Sequence, residues 1–244
     1  MAQKRRVRPL LAEVQRLRPE LSEDAVEEAL LDGRVLVDGL PVKNPAAQVA
    51  VGTSIVVREP TVLRGLTKMR GAFAAFDVAS AAGGAGLDAG ASAGGFVQAQ
   101  LELGLARVYA VEVGFGQLLG SLRQDARVVN LERTNVGDLS RTLVPDPLRL
   151  VTLDLGYLSL AAGVPQLEVL EWEPGAHLVG LVKPVAELGL AGPPSDEPTI
   201  AEARAHARAG IESVGWEVVD EAPSPIPGSK GAIEWFVHAR RRAA

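Results

Sequence analysis

The sequence predicts an α/β chain: a doubly wound sheet preceded by a small α+β unit. Three observations predict it. Gly86-Leu-Asp-Ala-Gly-Ala-Ser-Ala-Gly-Gly-Phe96 reads as a buried strand that stops in a glycine-rich turn and opens a helix. From residue 73 onward, short and nearly continuous apolar runs alternate with helical patterns, as in a sheet covered on both faces. The first sixty residues follow another rhythm of two helices, a hairpin and a strand.

In chain order, residues 1–59 form the first unit. Val7 to Leu17 carries apolar residues at helical spacing, and Leu21-Ser-Glu-Asp opens a second helix with Ser22 as N-cap. Arg34-Val-Leu-Val-Asp-Gly-Leu-Pro-Val reads as strand, Asp-Gly turn and strand, and Gly52-Thr-Ser-Ile-Val-Val as another strand. This succession resembles the S4 fold, a small RNA-binding module. Residues 60–72 read as a linker carrying Arg64, Lys68 and Arg70. Residues 73–244 form the main domain. Its strands are expected at Arg107–Val113, Arg127–Glu132, Leu148–Leu155 and His177–Lys183, with helices at Leu118–Gln124 and Thr199–Val214. Trp216–Asp220 and Ile233–Ala239 close it as a hairpin.

Composition excludes several classes. The 244 residues contain no cysteine, so disulfides, thiolate zinc sites and a cysteine nucleophile are ruled out. No apolar run reaches ~18 residues free of charge, so no membrane span is expected. The charged start has no apolar segment behind it and does not read as a signal peptide. A soluble cytoplasmic protein is expected. The net charge of −5 is a poor global match to a nucleic-acid binder, leaving only a local basic patch for that role.

The glycine-rich turn is where a nucleotide-like cofactor belongs, because the helix after it aims unpaired N–H groups back at the turn. Gly-x-Gly-x-x-Gly would need glycine at 92, where this chain has serine. Asp-x-Gly-x-x-x-Gly-Gly looks more like the first motif of S-adenosylmethionine-dependent methyltransferases.

Leu87-Asp-Ala-Gly-Ala-Ser-Ala-Gly-Gly-Phe, Arg107-Val-Tyr-Ala-Val-Glu-Val-Gly-Phe-Gly-Gln-Leu and Val129-Asn-Leu-Glu-Arg-Thr-Asn together resemble the TlyA family. The resemblance covers nearly the whole chain. It implies a Rossmann-like, FtsJ-like catalytic domain behind an S4-like unit, S-adenosylmethionine as cofactor, and 2′-O-methylation of ribosomal RNA. Older usage calls members hemolysins. It also implies a Lys-Asp-Lys-Glu constellation, which falls on Lys68 of Leu63-Arg-Gly-Leu-Thr-Lys, Asp154 of Thr-Leu-Asp-Leu, Lys183 of Leu-Val-Lys-Pro and Glu234 of Gly231-Ala-Ile-Glu.

Such a set makes chemical sense. The methyl sulfonium is already activated, so the protein must align the acceptor and remove one proton. A lysine can take that proton if burial or a neighbouring cation lowers its pKa. Asp154 and Glu234 would orient the two amines. The plainer alternative is an ion-pair network at the sheet edge. For the cofactor, the resemblance implies Asp88, Gly90, Ser92, Gly94, Gly95 and Phe96 around the methionine portion, with Asp154 nearby. Glu112 would accept the ribose hydroxyls, and Asn135 or Asp138 would contact adenine or cap a helix.

Departures from the family's pattern surround the methyl acceptor. Leu63 and Leu66 replace a serine and a glycine, Gly156 replaces a serine, and Ala232 replaces the asparagine before the glutamate. Lys183-Pro-Val-Ala-Glu187 replaces Lys-Pro-Gln-Phe-Glu. The second helix of the S4-like unit carries Glu23, Asp24, Glu27, Glu28 and Asp32 with no basic residue, which would repel a phosphate backbone. RNA contact would then fall to Lys4, Arg5, Arg6 and Arg8. A small-molecule acceptor is therefore a second expectation, and a non-catalytic binder, lytic or otherwise, a third.

Overall fold

The computed structural model describes residues 6–60 and 62–242. They divide into two compact units. The first comprises the chain up to Val62 together with Leu119–Asp125, and the second Leu63–Leu118 together with Ala126–Ala244.

In the first unit, β1 (Val7–Pro9) pairs antiparallel with β4 (Gln48–Ala50). The helix expected from Val7 begins later, as α1 (Leu10–Leu17), with Pro9 at its N-cap. Proline fixes φ and lacks an N–H, so it suits that boundary. The helix α2 (Glu23–Leu31) is capped by Ser22, whose side chain accepts the Ala25 N–H at 3.2 Å. Next come β2 (Val35–Val37), β3 (Leu40–Pro41) and β5 (Ile55–Val57), in the order β3-β2-β5. Asp38 and Gly39 between β2 and β3 both have positive φ, 50° and 84°, as a tight type I′ hairpin requires. Leu10, Val14, Val26, Ala29, Leu30, Val35 and Val49 form this unit's core.

The second unit opens with a helix, α3 (Arg64–Ala75), where the sequence reads as a linker. It buries Leu66, Lys68, Met69 and Ala72 and packs on α4 (Gly95–Leu103). The packing is close: a Cβ on Gly95 would sit 2.6 Å from the Leu66 nitrogen.

The sheet contains β6 (Ala85–Ala89), β7 (Arg107–Glu112), β8 (Val128–Glu132), β9 (Leu148–Leu153), β10 (Trp172–Val182), β11 (Trp216–Pro223) and β12 (Trp235–Arg241). Its order is β11-β12-β10-β9-β6-β7-β8. Strands β8 through β10 run parallel across the sheet, and β12 returns antiparallel between β10 and β11. The short helix α5 (Gly120–Gln124) falls in the segment that belongs to the first unit; α6 (Leu160–Gly163) and α7 (Pro184–Leu188) follow β9 and β10, and the long α8 (Glu197–Glu212) packs on β10, β11 and β12. From β6 the chain winds one way to β7 and β8, and from β9 the other way to β10. The switch between β6 and β9 leaves a crevice at their carboxyl ends, the usual ligand position in open α/β sheets.

Candidate active site

The crevice is built first by backbone. Strand β6 ends at Ala89, and Gly90 turns with φ +91°. A Cβ there would stand 2.4 Å from the Asp154 carbonyl oxygen, so only glycine lets the turns after β6 and β9 meet. Gly90 and Ala91 N–H groups both donate to Val111 O, at 2.9 and 3.0 Å, and Asp154 N–H donates to Ala89 O at 2.9 Å. Ser92 then takes a left-handed φ of 46°, and its N–H donates to Glu112 Oε2 at 3.0 Å.

Glu112 ends β7. Its Oε1 accepts the Gly114 N–H at 2.7 Å, so the carboxylate joins the turn after β6 to the loop after β7. Gln117 Nε2 also donates to Oε1 at 3.5 Å; each carboxylate oxygen can accept two hydrogen bonds, so capacity remains on Oε2 for a ligand hydroxyl. One strand along, Glu132 accepts the N–H groups of Gln117 and Leu118 at 2.8 and 3.2 Å. Burial works to raise this carboxyl. Bonds from Asn130 and from the backbone of Leu118, Gly116 and Gln117 outweigh it and bring the pKa down to about 2. Glu132 therefore stays charged and pins the 113–118 loop.

These loops surround a cavity of about 300 Å³. Gly90, Ser92, Val111, Glu112, Val113, Gln117, Thr134, Val136, Leu155, Gly156 and Tyr157 line it, with Asp154 and Lys183 at one side. Its size lies at the small end of the ~300–1,000 Å³ range of ligand pockets. The make-up fits an adenosyl cofactor: apolar walls at Val111, Val113, Val136 and Leu155 for a base, and a carboxylate with spare acceptor capacity for a ribose.

Other residues named from the sequence lie elsewhere. Asp88 is fully buried inside β6 and is absent from the cavity wall. Its Oδ1 accepts from Thr152 Oγ1 at 2.7 Å, and Gln100 Nε2 in turn donates to Thr152 Oγ1 at 2.7 Å. Burial above all raises its pKa to about 8; the Thr152 bond opposes this, and the Asp154 and Glu112 charges add to it. Asp88 is thus mostly a neutral acid at pH 7, bracing the sheet beneath the turn. Gly94 (φ 97°) caps α4, Gly95 gives α3 its close approach, and Phe96 is buried 6.1 Å from Phe236 between ring centroids. None of the three lines the cavity. Asn135 caps a short 3₁₀ turn through the Gly137 N–H at 3.0 Å, and its Oδ1 also accepts from the Tyr157 hydroxyl at 3.3 Å. Asp138 is exposed and off the cavity wall.

The four charged residues converge at the edge of the sheet. Val182 pairs with Trp235 across β10 and β12, which sets Lys183 opposite Glu234. Strand β9 lies on the other side of β10, and Asp154 follows its last residue. Lys183 forms an ion pair with Asp154, both about a quarter exposed at 25% and 26%, and its Nζ donates to Leu155 O at 3.2 Å. Lys68 rises from α3 and binds Glu234 Oε2 at 2.5 Å, both groups buried. A Cβ on Gly228 would stand 2.2 Å from Glu234 Oε1, so the loop before β12 lies directly on this carboxylate. The result is one water-facing and one buried lysine–carboxylate pair on neighbouring strand ends.

Sequence reading missed Gln117, Glu132 and Tyr157 as parts of the site. Gln117 stands inside the Val-Gly-Phe-Gly-Gln-Leu run, and Glu132 inside Leu-Glu-Arg-Thr-Asn, so the motifs held the signal. Among the basic residues proposed for RNA, Lys4 and Arg5 lie outside the described residues. Arg6 is exposed, and Arg8 pairs with Glu13 at 3.3 Å. Among the described residues no helix is long and apolar enough to cross a membrane.

Residues 61–241 match the FtsJ-like methyltransferase family. The chain is 38% identical over 229 residues to the 16S/23S rRNA (cytidine-2′-O)-methyltransferase TlyA of Mycobacterium tuberculosis, covering 90% of this chain and 84% of that one. It is 31% identical to Hemolysin A of Brachyspira hyodysenteriae, over 89% of this chain and 93% of the relative. A solved structure of a candidate hemolysin from Streptococcus thermophilus superposes with a TM-score of 0.70 at 27% identity, covering 91% of this chain and 84% of that one. FtsJ-like methyltransferases use S-adenosylmethionine, and the cavity beside Glu112 suits it. By its sequence and its sheet, the chain belongs to the TlyA family of FtsJ-like, S-adenosylmethionine-dependent methyltransferases.

Proposed function

We propose that this enzyme methylates a ribose 2′-hydroxyl of ribosomal RNA, with Lys183 as the proton acceptor. One observation carries the reading: the strand register sets Asp154, Lys183 and Glu234 side by side at neighbouring strand ends, with Asp154 and Lys183 on the cavity wall and Lys68 bonded to the buried Glu234. When bound, S-adenosylmethionine supplies an activated methyl group, so the chain's own work is orientation and proton removal. Lys183, partly exposed on the cavity wall, is within reach of a hydroxyl placed there. Asp154 and Leu155 O fix the direction of its amine. The Lys68–Glu234 pair supplies a rigid, buried charge neighbourhood behind it. Glu112 orients the cofactor ribose, and the walls at Val113 and Val136 hold its base.

The acceptor reading draws on the mycobacterial relative, which is named for cytidine 2′-O-methylation of 16S and 23S rRNA. Tyr157, half exposed on the cavity wall, offers a ring on which an unstacked nucleobase can rest. The first unit would contact RNA through the cluster at Lys4, Arg5, Arg6 and Arg8. Its acidic helix is partly neutralised, since Glu28 binds Arg34 at 2.9 Å. A ribosomal substrate places the enzyme in the cytoplasm. The small-molecule acceptor finds no support among these relatives. Labelled methyl transfer to purified 30S and 50S subunits, beside a panel of small hydroxyl compounds, tests the proposal. Methylation confined to a ribose 2′-oxygen of 16S or 23S rRNA is expected, and transfer only to the small compounds would overturn it.

A further inference from the structure

Glu187 is a buried carboxylate that the proposed chemistry does not use. It stands one helical turn beyond Lys183. Lys183 is the N-cap of α7, and its carbonyl accepts the Ala186 and Glu187 N–H groups at 2.9 and 3.0 Å. Through its side chain, Glu187 reaches a different segment. Its Oε1 accepts the Leu160 N–H at 2.6 Å, and its Oε2 lies 3.1 Å from His206 Nδ1 on α8.

Leu160 is the first residue of α6 and is 2% exposed. The segment between Asp154 and Leu160 carries Leu155, whose carbonyl holds the Lys183 amine, and Gly156 and Tyr157 on the cavity wall. The polar contacts therefore close a ring. Asp154 leads along the 155–159 loop to Leu160 N–H, thence to Glu187, back along α7 to Lys183, and across the ion pair to Asp154.

A local cap could satisfy the end of α6 more cheaply. Ser159 already does so for the Ala162 N–H at 3.1 Å. Burying a carboxylate for one further N–H is costly unless its remaining oxygen is also bonded, which His206 accomplishes. What Glu187 adds, and a local cap would not, is a tie between the two loops that carry Asp154 and Lys183.

We propose that Glu187 is a positioning residue: it holds the 155–160 segment against α7 so that Lys183 and Asp154 meet the acceptor hydroxyl in one geometry. The inference rests on the roles given above to those two residues. Misplacing a reacting group by about 1 Å can cost ~10²-fold in rate, so a loosened ring should lower turnover more than binding.

The test compares wild type, Glu187→Ala, Glu187→Gln and Lys183→Ala, using purified ribosomal subunits and labelled S-adenosylmethionine, with hydrogen exchange followed in peptides spanning 155–163. Glu187→Ala should lower kcat at least about tenfold, with KM for subunits within about threefold. Exchange across 155–163 should speed up, while 148–153 is unchanged. Glu187→Gln should restore both readouts, because its amide oxygen still accepts the Leu160 N–H. Wild-type turnover in Glu187→Ala beside an inactive Lys183→Ala would overturn this inference alone. Full activity in Lys183→Ala would instead overturn the assignment of the base. Should no subunit accept methyl, the exchange comparison decides: unchanged exchange across 155–163 in Glu187→Ala refutes the tie. If Glu187→Ala does not fold, His206→Ala removes one of the two bonds from a half-exposed position. A drop of about threefold in kcat then supports the tie, and an unchanged kcat overturns it.

Discussion

The Lys68 ammonium meets the Glu234 carboxylate at 2.5 Å across 166 residues of chain, and both side chains are buried. Such a pair is weak evidence for stability, because desolvation consumes most of the attraction. Removing one partner is different: it leaves an uncompensated buried charge, at about 3–5 kcal/mol. Lys68→Met should therefore lower unfolding stability by several kcal/mol in a urea titration. The double variant Lys68→Met/Glu234→Leu should regain most of that loss. If the pair also serves methyl transfer, the double variant will be stable and still slow. A stable, fully active double variant would make the pair purely structural.

The second pair sits in water's reach and should behave differently. Lys183→Ala and Asp154→Asn leave no buried charge behind, since both groups are about a quarter exposed. Stability should change by less than about 1 kcal/mol, as for other exposed pairs. Methyl transfer should fall by two orders of magnitude or more, the usual scale for losing a general base, while cofactor affinity stays within a few-fold. Calorimetric titration with S-adenosylhomocysteine checks the affinity, and Lys183→Ala at the native rate would remove Lys183 as the base.

On the proposed function Glu112 both holds the loop and accepts the cofactor ribose, and its variants should separate the two. Glu112→Ala removes an acceptor for the cofactor ribose and releases the Ser92 and Gly114 N–H groups it holds. A charge-assisted bond of about 1.5–3 kcal/mol predicts at least tenfold weaker cofactor binding. Glu112→Gln keeps an acceptor oxygen and should fall between. Equal affinity in all three proteins would place the ribose elsewhere.

Much of this was legible in the sequence, for physical reasons. Ser22 and Asp38-Gly39 are local signals, and each does in the structure what its chemistry requires. The parallel strands were readable because sheets buried on both faces are apolar throughout. The helix α3 was hidden. Its buried Leu66, Met69 and Ala72 are interleaved with Arg64, Lys68 and Arg70 and flanked by Gly65 and Gly71, a pattern that reads as loop. What makes it helical is its packing on α4. In the site, the sequence showed the charges but could not show depth. Asp88 and Glu112 lie near the carboxyl ends of neighbouring strands, yet one is buried under Thr152 and the other faces the cavity. Glu132 was equally invisible, because its partners are backbone N–H groups of a loop fourteen or fifteen residues away.

Two buried histidines set an acid limit. His177 Nδ1 lies 3.0 Å from His238 Nε2, and Ser80 Oγ lies 2.7 Å from His177 Nε2. Burial, then the neighbouring His177 and Arg240, push His238 down to about 4. Unfolded histidine titrates near 6.5, so between roughly pH 4 and 6.5 the unfolded chain binds more protons than the folded one. Stability from this group is therefore complete above about 6.5 and is lost as pH falls toward 4, by roughly 3 kcal/mol in full. Urea midpoints measured between pH 4 and 7 should fall more steeply for wild type than for His238→Gln. Parallel curves would show that His238 is not the group responsible.

The first unit offers the sharpest test of an RNA substrate, because residues 1–59 carry as many acidic as basic side chains, nine of each, and the acids crowd its second helix. Helix α2 presents exposed Glu23, Asp24, Glu27 and Glu28, and among the described residues Arg34 pairs with Glu28. Arg8 is itself shared with Glu13. On the proposed function, the cluster of Lys4, Arg5, Arg6 and Arg8 would supply the phosphate contact beside this acidic helix. Each phosphate neutralised steepens the salt dependence by about 0.7 to 0.9 log units per decade of salt. If all four engage, the affinity of the full chain for ribosomal RNA should fall by about three log units per decade. Arg6→Ala/Arg8→Ala should flatten that slope by nearly half while weakening different RNA sequences alike, since phosphate contacts carry no sequence information. Filter binding across a salt series, with both proteins on the same RNA, gives the two slopes. An unchanged slope in the double variant would move the RNA contact away from the amino terminus and onto the catalytic domain.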